Sequence, residues 1–312
     1  LKAVGSTERQ HAEKIHHLYQ DKKSVPTMGG ILIILSVLIS NLLWADPTNR
    51  FVILVMIVLV WYGALGFLDD YLKIRFKNTK GISSRAKLIG QLSLAALFAF
   101  YLYWDPAFST KVTIPFFKDL VWTLGVFYIP FVMCVMVGTS NALNLTDGLD
   151  GLAIGCFAFA AGAFAVLTYL SGNTIFANYL QLSYIEGSGE LAVVSAALVG
   201  ASMGFLWWNA PPANVFMGDT GSLALGGALG AIALFIKQEL VLLIIGGVFV
   251  WEALSVILQV ASFKLTKKRI FLMSPFHHHL QLMGWPESKV TIRLWIVALI
   301  LALVGLSTLK LR

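Results

Sequence analysis

Long apolar runs separated by short polar segments extend along almost the whole chain. A helix needs about 20 apolar residues to cross a bilayer core, and nine runs approach or reach that length. Of these runs only Leu240–Phe263 contains a charged residue, Glu252. The pattern predicts an all-α, polytopic membrane helical bundle, with residues 1–312 forming one transmembrane domain. The nine runs are Met28–Ala45, Phe51–Leu68, Leu88–Trp104, Leu120–Gly138, Gly151–Ser171, Leu191–Trp208, Thr220–Ile236, Leu240–Phe263 and Leu294–Leu309.

The composition excludes most other classes of protein. Hydrophobic residues make up 58% of the 312 positions and charged residues only 12%, whereas about 25% of an average soluble domain is charged. A soluble globule could not bury so much apolar surface, and a disordered chain would not contain it. The two cysteines, Cys134 and Cys156, lie inside apolar runs and indicate neither a disulfide nor a zinc site.

The basic residues predict the orientation in the membrane. Most of the 23 Lys and Arg residues fall in the N-terminal tail, the loop Asp69–Lys87 and the loop Lys264–Arg293, which nine spans place on one side. The positive-inside rule makes that side cytoplasmic and places the C-terminus outside. The net charge of +7 therefore reports basic loops, and no nucleic-acid partner is expected.

Acidic and histidine residues gather at the same predicted membrane face. Asp69 and Asp70 end the second run, and three further aspartates and the segment Pro275–His279 lie in other cytoplasmic segments. Carboxylate oxygens suit Mg²⁺, and Lys, Arg and His neutralise phosphate charge. A vicinal carboxylate pair can also divide its labour, because like charges separate the two pKa values. The pattern favours a site for a divalent cation and phosphates. The other three aspartates are Asp147, Asp150 and Asp219.

Each motif taken alone also has a purely structural interpretation. The Asp69-Asp70 pair is also typical of a polar helix end, and Asp219 of an N-cap for the helix beginning near Thr220. The segment Asp147–Gly151 also fits a turn or, less well, a calcium loop, and the histidines fit a solvated loop. For Glu252, with Gln259 seven residues later on the same helix face, a buried hydrogen bond and a substrate contact are both open.

Five motifs occur together in a characteristic order. They are Pro26–Gly30, Asp69–Tyr71, Asn141–Gly151, Phe216–Asp219 and Pro275–His279. In this order, and over essentially the whole chain, the sequence resembles the phospho-N-acetylmuramoyl-pentapeptide transferases, a family within the polyprenyl-phosphate N-acetylhexosamine-1-phosphate transferase superfamily. The first and last motifs favour this family over its relatives.

The resemblance implies a reaction and its partners. Enzymes of this family transfer phospho-MurNAc-pentapeptide from UDP-MurNAc-pentapeptide to undecaprenyl phosphate, forming lipid I and UMP in peptidoglycan synthesis. They need Mg²⁺ and act at the cytoplasmic face of the bacterial inner (plasma) membrane, and homodimers are known. Direct attack by the lipid phosphate and a covalent aspartyl intermediate both remain open.

The resemblance also assigns roles to residues. Asp69, Asp70, Asp219 and His277 are the expected catalytic group, with Asp69 as base or lipid-phosphate-facing carboxylate and Asp219 as the Mg²⁺ ligand. Phosphate or nucleotide contacts are expected from Lys22, Thr27, Lys73 and Lys87. The nucleotide and sugar end is expected to be lined by Asn141, Asn144, Asp147, Asp150, Asn209, Phe216 and Gln259, with His278 and His279 near the diphosphate and sugar.

Three other functions compete with this one. A sister transferase that acts on UDP-GlcNAc is disfavoured by the first and last motifs. A transporter usually places its polar groups near the bilayer midplane, whereas only Glu252 is central here. A non-catalytic protein of the same fold is disfavoured because every candidate carboxylate is present. The family has ten spans, so we expect one further helix before Leu1. The segment Lys23–Pro26 also departs from the usual Lys-x-Thr-Pro pattern.

Overall fold

Helices dominate the computed structural model, which describes residues 25–76, 81–117 and 120–309. A two-stranded antiparallel hairpin, β1 (Lys111–Thr113) and β2 (Val121–Thr123), pairs Val112 with Trp122. Single 3₁₀ turns precede two of the helices, at Gly125–Phe127 and Ser188–Glu190. Within the described ranges the α-helices are α1 (Gly30–Trp44), α2 (Arg50–Arg75), α3 (Ser84–Trp104), α4 (Tyr128–Thr146), α5 (Leu152–Ser171), α6 (Thr174–Leu180), α7 (Leu191–Asn209), α8 (Gly218–Phe235), α9 (Glu239–Ile245), α10 (Gly247–Thr266), α11 (Phe276–Leu282) and α12 (Glu287–Ser307).

The helices confirm the prediction of a membrane helical bundle. Among the described residues, eight helical segments are long and apolar enough to cross a bilayer, and α1 is a shorter apolar helix of 15 residues. Large apolar side chains such as Trp44, Ile89 and Leu303 are exposed on the outer faces of the bundle, as expected of surfaces that contact lipid tails. The chain is an integral, multi-pass membrane protein.

Three predicted runs have different bounds in the structure. The run predicted at Leu120–Gly138 begins as strand β2, and its helix starts only at Tyr128 because the first residues pair with β1. The run Leu240–Phe263 is divided at Gly246 into α9 and α10. The final helix begins at Glu287, well before the predicted Leu294, because most residues of its first two turns are polar or charged.

Helix α8 is the centre of the bundle. All of its residues from Thr220 to Phe235 are buried, and it contacts α2 and α4 extensively. Glycines permit this packing, because a Cβ on Gly66 of α2 would collide with the backbone of Asp219, and one on Gly30 with the backbone of Gly221. The close approach brings the cytoplasm-proximal end of α2, by the predicted orientation, against the first turn of α8.

Candidate active site

Three carboxylates from two helices meet at this junction. Asp69 and Asp70 are buried near the C-terminal end of α2, and Asp219 lies in the first turn of α8. Each offers an oxygen within 4.8 Å of the other two. Oxygen donors at this spacing fit a hard divalent cation such as Mg²⁺. We call Asp69, Asp70 and Asp219 the carboxylate cluster.

Two lysines neutralise part of the negative charge of the carboxylate cluster. The Lys73 ammonium lies 2.5 Å from Asp69 Oδ2, 3.1 Å from Asp219 Oδ2 and 3.8 Å from Asp70 Oδ1. Lys87, from α3, donates to the same Asp219 oxygen at 2.7 Å. Asp69 and Lys73 lie one helical turn apart on α2, the spacing at which opposite charges pair on a helix. Because the Asp219 side chain is still 19% exposed and the Lys73 side chain 35%, charged ligands can reach the cluster.

Asp70 also holds the start of α8. Its Oδ2 accepts hydrogen bonds from the Thr220 backbone N–H at 2.9 Å and from the Thr220 hydroxyl at 2.8 Å. A carboxylate suits the positive end of a helix dipole. The N-cap prediction for Asp219 is wrong, because Met217 occupies that position and Asp219 lies one residue inside the helix that begins at Gly218. Asp70, from another helix, accepts from the backbone of the first turn instead.

The first motif borders the carboxylate cluster through its backbone. Phe216 donates its N–H to the Pro26 carbonyl at 2.8 Å, and Gly29 donates to the Phe216 carbonyl at 2.9 Å. Gly30 donates to the Met217 carbonyl at 3.0 Å. This ladder-like pairing brings Pro26–Gly30 against the segment that leads into α8, and it places Thr27 beside the cluster. Lys22, expected to contact phosphate, lies outside the described residues.

A cavity of about 350 Å³ opens beside the carboxylate cluster. Desolvation, followed by the negative charges of Asp219 and Asp70, raises the pKa of Asp147 to about 7. The cavity therefore combines the Lys73 cation with a carboxyl group, Asp147, whose pKa is raised. Its lining includes eight of the residues predicted for the site, namely Thr27, Asp70, Lys73, Asp147, Asp150, Asn209, Phe216 and Asp219.

Several predicted nucleotide-end residues also hold backbone segments together. Asp150 Oδ2 accepts from the Ala213 N–H at 3.0 Å. Asn209 accepts from the Gly151 N–H at 3.1 Å and donates to the Val215 carbonyl at 2.7 Å. These bonds join the turn after α4 to the segment between α7 and α8, so the two cavity walls have a fixed spacing.

The two predicted asparagines of α4 differ in their partners. Asn141 donates to Gln91 Oε1 of α3 and to the Val137 carbonyl, both at 2.9 Å. The side-chain nitrogen of Asn144 is buried, and no hydrogen-bond partner for it is found in the described part of the chain. Asn144 lies one helical turn before Asp147 and is not among the residues that line the cavity.

The segment from Lys267 to His279, which we call the histidine loop, is held by one face of α10. Gln259 accepts from the backbone N–H groups of Ile270 at 3.0 Å and Phe271 at 2.9 Å, and it donates to the Phe271 carbonyl at 2.9 Å. Glu252, two turns earlier, faces the backbone N–H of His277. For Glu252 and Gln259, the structure shows the buried hydrogen bonds that the sequence left open.

The three histidines occupy different environments rather than one solvated loop. His277 is fully buried, whereas His278 and His279 are partly exposed in α11. His278 contacts Gln281 Oε1 at 2.9 Å, and His279 accepts from the Leu272 N–H at 3.2 Å. Desolvation, assisted by His277, lowers the pKa of His278 to about 4. The catalytic role expected of His277 remains a prediction, because its ring does not line the cavity.

Comparisons with known proteins identify the family to which these motifs belong. A family model for glycosyl transferase family 4 matches residues 51–237. Phospho-N-acetylmuramoyl-pentapeptide-transferases from Citrifermentans bemidjiense and from Geobacter sp. strain M21 are each 54% identical to this chain over 291 residues. The match covers 93% of this chain and 81% of each relative. The chain belongs to this transferase family.

Some residues that shape this transferase site were missed by sequence reasoning. Gln91 bridges helices by donating to Ser140 at 3.2 Å and accepting from Asn141. Glu287 accepts from the Asp150 N–H at 2.8 Å, and Thr220 donates to Asp70. A polar residue inside an apolar run is a signal that would have found Gln91. Nothing in the local pattern distinguishes Thr220 or Glu287, since their partners are far away in the sequence.

Proposed function

We propose that the chain catalyses the family reaction, using the carboxylate cluster and the adjoining cavity as its active site. In that reaction an oxygen of undecaprenyl phosphate bonds to the β-phosphorus of UDP-MurNAc-pentapeptide. The bond from that phosphorus to the bridging oxygen breaks, and UMP leaves with the electron pair while lipid I forms. The observation that carries the proposal is the 54% identity to the named transferases over 93% of the chain.

We propose that the carboxylate cluster holds Mg²⁺, with Asp219 as the principal ligand. The bound ion would neutralise charge on the diphosphate. Lys87 and Lys73 flank Asp219, and we propose that each ammonium holds phosphate oxygens and orients Asp219. We propose that Asp69 takes a proton from the incoming phosphate, while Asp70 fixes the first turn of α8.

The cavity suits the nucleotide-sugar end of the substrate. Its walls are fixed by Asp150 and Asn209, and Phe216 offers an aromatic face against which a uracil ring can stack. Asn144 lies one helical turn before Asp147, and we propose that it contacts the nucleotide or sugar when the substrate is bound. His278 and His279 belong to the neighbouring histidine loop and are proposed to contact the diphosphate and sugar.

We propose that this site faces the cytoplasm of a bacterium, at its inner membrane. A water-soluble UDP-sugar arrives from the cytoplasm, whereas a polyprenyl phosphate arrives from the bilayer. A carboxylate cluster at the end of a spanning helix serves both substrates. We propose further that residues 1–312 act as one transferase domain, and that the enzyme associates as a homodimer.

The proposal is tested with purified protein in detergent, undecaprenyl phosphate and Mg²⁺, by following UMP release. UDP-MurNAc-pentapeptide and UDP-GlcNAc are supplied in parallel reactions, with EDTA as the metal control. The expected result is metal-dependent release from the muramyl substrate alone. Release from UDP-GlcNAc instead would make the protein a sister transferase, and release from neither in folded protein would overturn the proposal.

A further inference from the structure

Glu252 is a carboxyl group buried in the second turn of the membrane helix α10. Its side chain is about 1% exposed, and it lies between apolar residues of α10. Ionisable groups inside membrane segments are energetically costly and are usually retained for a function. The roles proposed above for the carboxylate cluster and the cavity do not use Glu252.

Both oxygens of Glu252 are directed at one residue of the histidine loop. The His277 backbone N–H lies 3.2 Å from Glu252 Oε1 and 3.3 Å from Oε2. The ring nitrogen Nδ1 of His277 is also 3.2 Å from Oε2, which is within ion-pair distance although without hydrogen-bond geometry. One carboxyl group therefore bonds the main chain of His277 and contacts its ring.

The His277 ring supports a wall of the cavity from behind. The ring is fully buried, and its Nε2 edge packs so closely on Gly148 that a Cβ there would collide with it. Gly148 lies in the turn after α4, between Asp147 and Asp150, and all three residues line the cavity. A continuous set of contacts thus leads from Glu252 through His277 to this wall.

We propose that Glu252 is a positioning residue for substrate binding, acting through His277 on the turn Asp147–Asp150. This inference rests on the proposed function, because it assigns that wall to the nucleotide sugar. The carboxylate cluster has side-chain contacts of its own, with Lys73, Lys87 and Thr220. Loss of Glu252 should therefore weaken binding of the nucleotide sugar more than it lowers the kcat of the bound complex.

Two substitutions separate positioning from a general structural role. Glu252→Ala removes the acceptor, and Glu252→Gln keeps one acceptor oxygen and the side-chain length. A buried hydrogen bond to a charged group typically changes an equilibrium by about tenfold or more. We expect Glu252→Ala to raise the KM for UDP-MurNAc-pentapeptide about tenfold and Glu252→Gln about threefold. The kcat and the KM for undecaprenyl phosphate should stay within about twofold of wild type.

A double-mutant cycle tests whether Glu252 acts through His277. When Glu252→Ala is introduced into His277→Ala, the KM should rise by less than about twofold further, because the effects of substitutions at coupled residues are not additive. Ser255→Ala is the matched control, since Ser255 is buried one turn away and its hydroxyl donates to the backbone carbonyl of Glu252. We expect that variant to keep the wild-type KM. Binding of UDP-MurNAc-pentapeptide, measured by calorimetry without turnover, should weaken in parallel with the KM.

The outcomes distinguish this inference from the proposed function. A wild-type enzyme that releases no UMP would overturn the proposed function and this inference with it. An active wild type with an unchanged KM in Glu252→Gln and Glu252→Ala would overturn the inference alone. Additive effects in the cycle, or an equal rise in both KM values, would also overturn it. If Glu252→Ala does not fold, Glu252→Gln decides the question.

Discussion

The carboxylate cluster and the histidine loop both place polar groups beside the same cavity, but they use them in opposite ways. In the cluster, Lys73 and Lys87 both form ion pairs with Asp219, and these charged side chains are partly exposed. Under the histidine loop, Glu252 and Gln259 direct their polar atoms mainly to backbone groups, and His277 is fully buried.

The difference teaches how such a site divides its work. Charged side chains that are partly exposed, and that can exchange one partner for another, can bind a metal ion and phosphates. Polar groups that are saturated by backbone hydrogen bonds fix the shape of a segment, because breaking them leaves buried donors and acceptors unpaired. The cluster should therefore control the chemical step, and the loop contacts should control substrate binding.

The largest effect is expected from Asp219→Asn in the carboxylate cluster. The change keeps the shape of the side chain but removes the charge that faces both lysines and the proposed ion. Loss of one such electrostatic contact at an active site typically costs about 100-fold or more in rate. UMP release should fall by about that factor, and Mn²⁺ binding followed by electron paramagnetic resonance should weaken.

Asp46→Asn is the control for this variant. It changes an exposed carboxylate that is bonded to Thr48, and it should leave UMP release and Mn²⁺ binding unchanged. Normal Mn²⁺ binding and UMP release by Asp219→Asn would remove Asp219 from the site.

A smaller loss is expected from Lys87→Gln. The ammonium of Lys87 is 2.7 Å from Asp219, and an uncharged amide binds a phosphate oxygen less strongly. The kcat should fall by about tenfold, and Lys87→Arg should recover part of it because the charge returns. An unchanged kcat for Lys87→Gln, measured by UMP release at saturating substrates, would show that Lys73 alone is sufficient.

Gln259→Leu should change binding rather than chemistry. It leaves the backbone groups of Ile270 and Phe271 without their partner, at a cost of about 1–3 kcal/mol to the ordered loop. Trypsin should then cleave faster after Lys267 and Lys268, which are exposed, and the KM for the nucleotide sugar should rise. Cleavage at the wild-type rate would contradict the role given to Gln259.

The smallest effect concerns pH and His278. The pKa of His278 falls from 6.5 to about 4 in the folded protein, chiefly because of desolvation. Between these values the unfolded chain binds more protons, so stability should decrease as the pH falls from 6.5 to about 4. His278→Gln should show less of this decrease in thermal unfolding curves. An identical acid profile for both proteins would show that other groups account for it.

Sequence patterns predicted the bundle, and they singled out several residues that the structure brings together. The apolar runs predicted the spanning helices because a bilayer requires that length and composition. The Asp69, Lys73 and Asp219 assignments came from motifs in which charged residues border apolar helices, and the structure brings these three side chains together.

The remaining features depend on long-range contacts that leave no local signal. The pairing of β1 with β2 and the bonds from Asp70 to Thr220 join positions that the sequence does not relate. The burial of His277 was likewise invisible, since it depends on Gly148 and Glu252 in other elements. A run of three histidines therefore suggested exposure, although the fold gives each ring its own environment.

The most direct test of this division of work is the kcat of two variants at saturating concentrations of both substrates. Asp219→Asn changes the carboxylate cluster, and Gln259→Leu changes the support of the histidine loop. The account predicts a kcat reduced about 100-fold or more in Asp219→Asn and a kcat within about twofold of wild type in Gln259→Leu, whose loss should lie in KM. The reverse pattern would contradict the assignment of chemistry to the cluster and of binding to the loop.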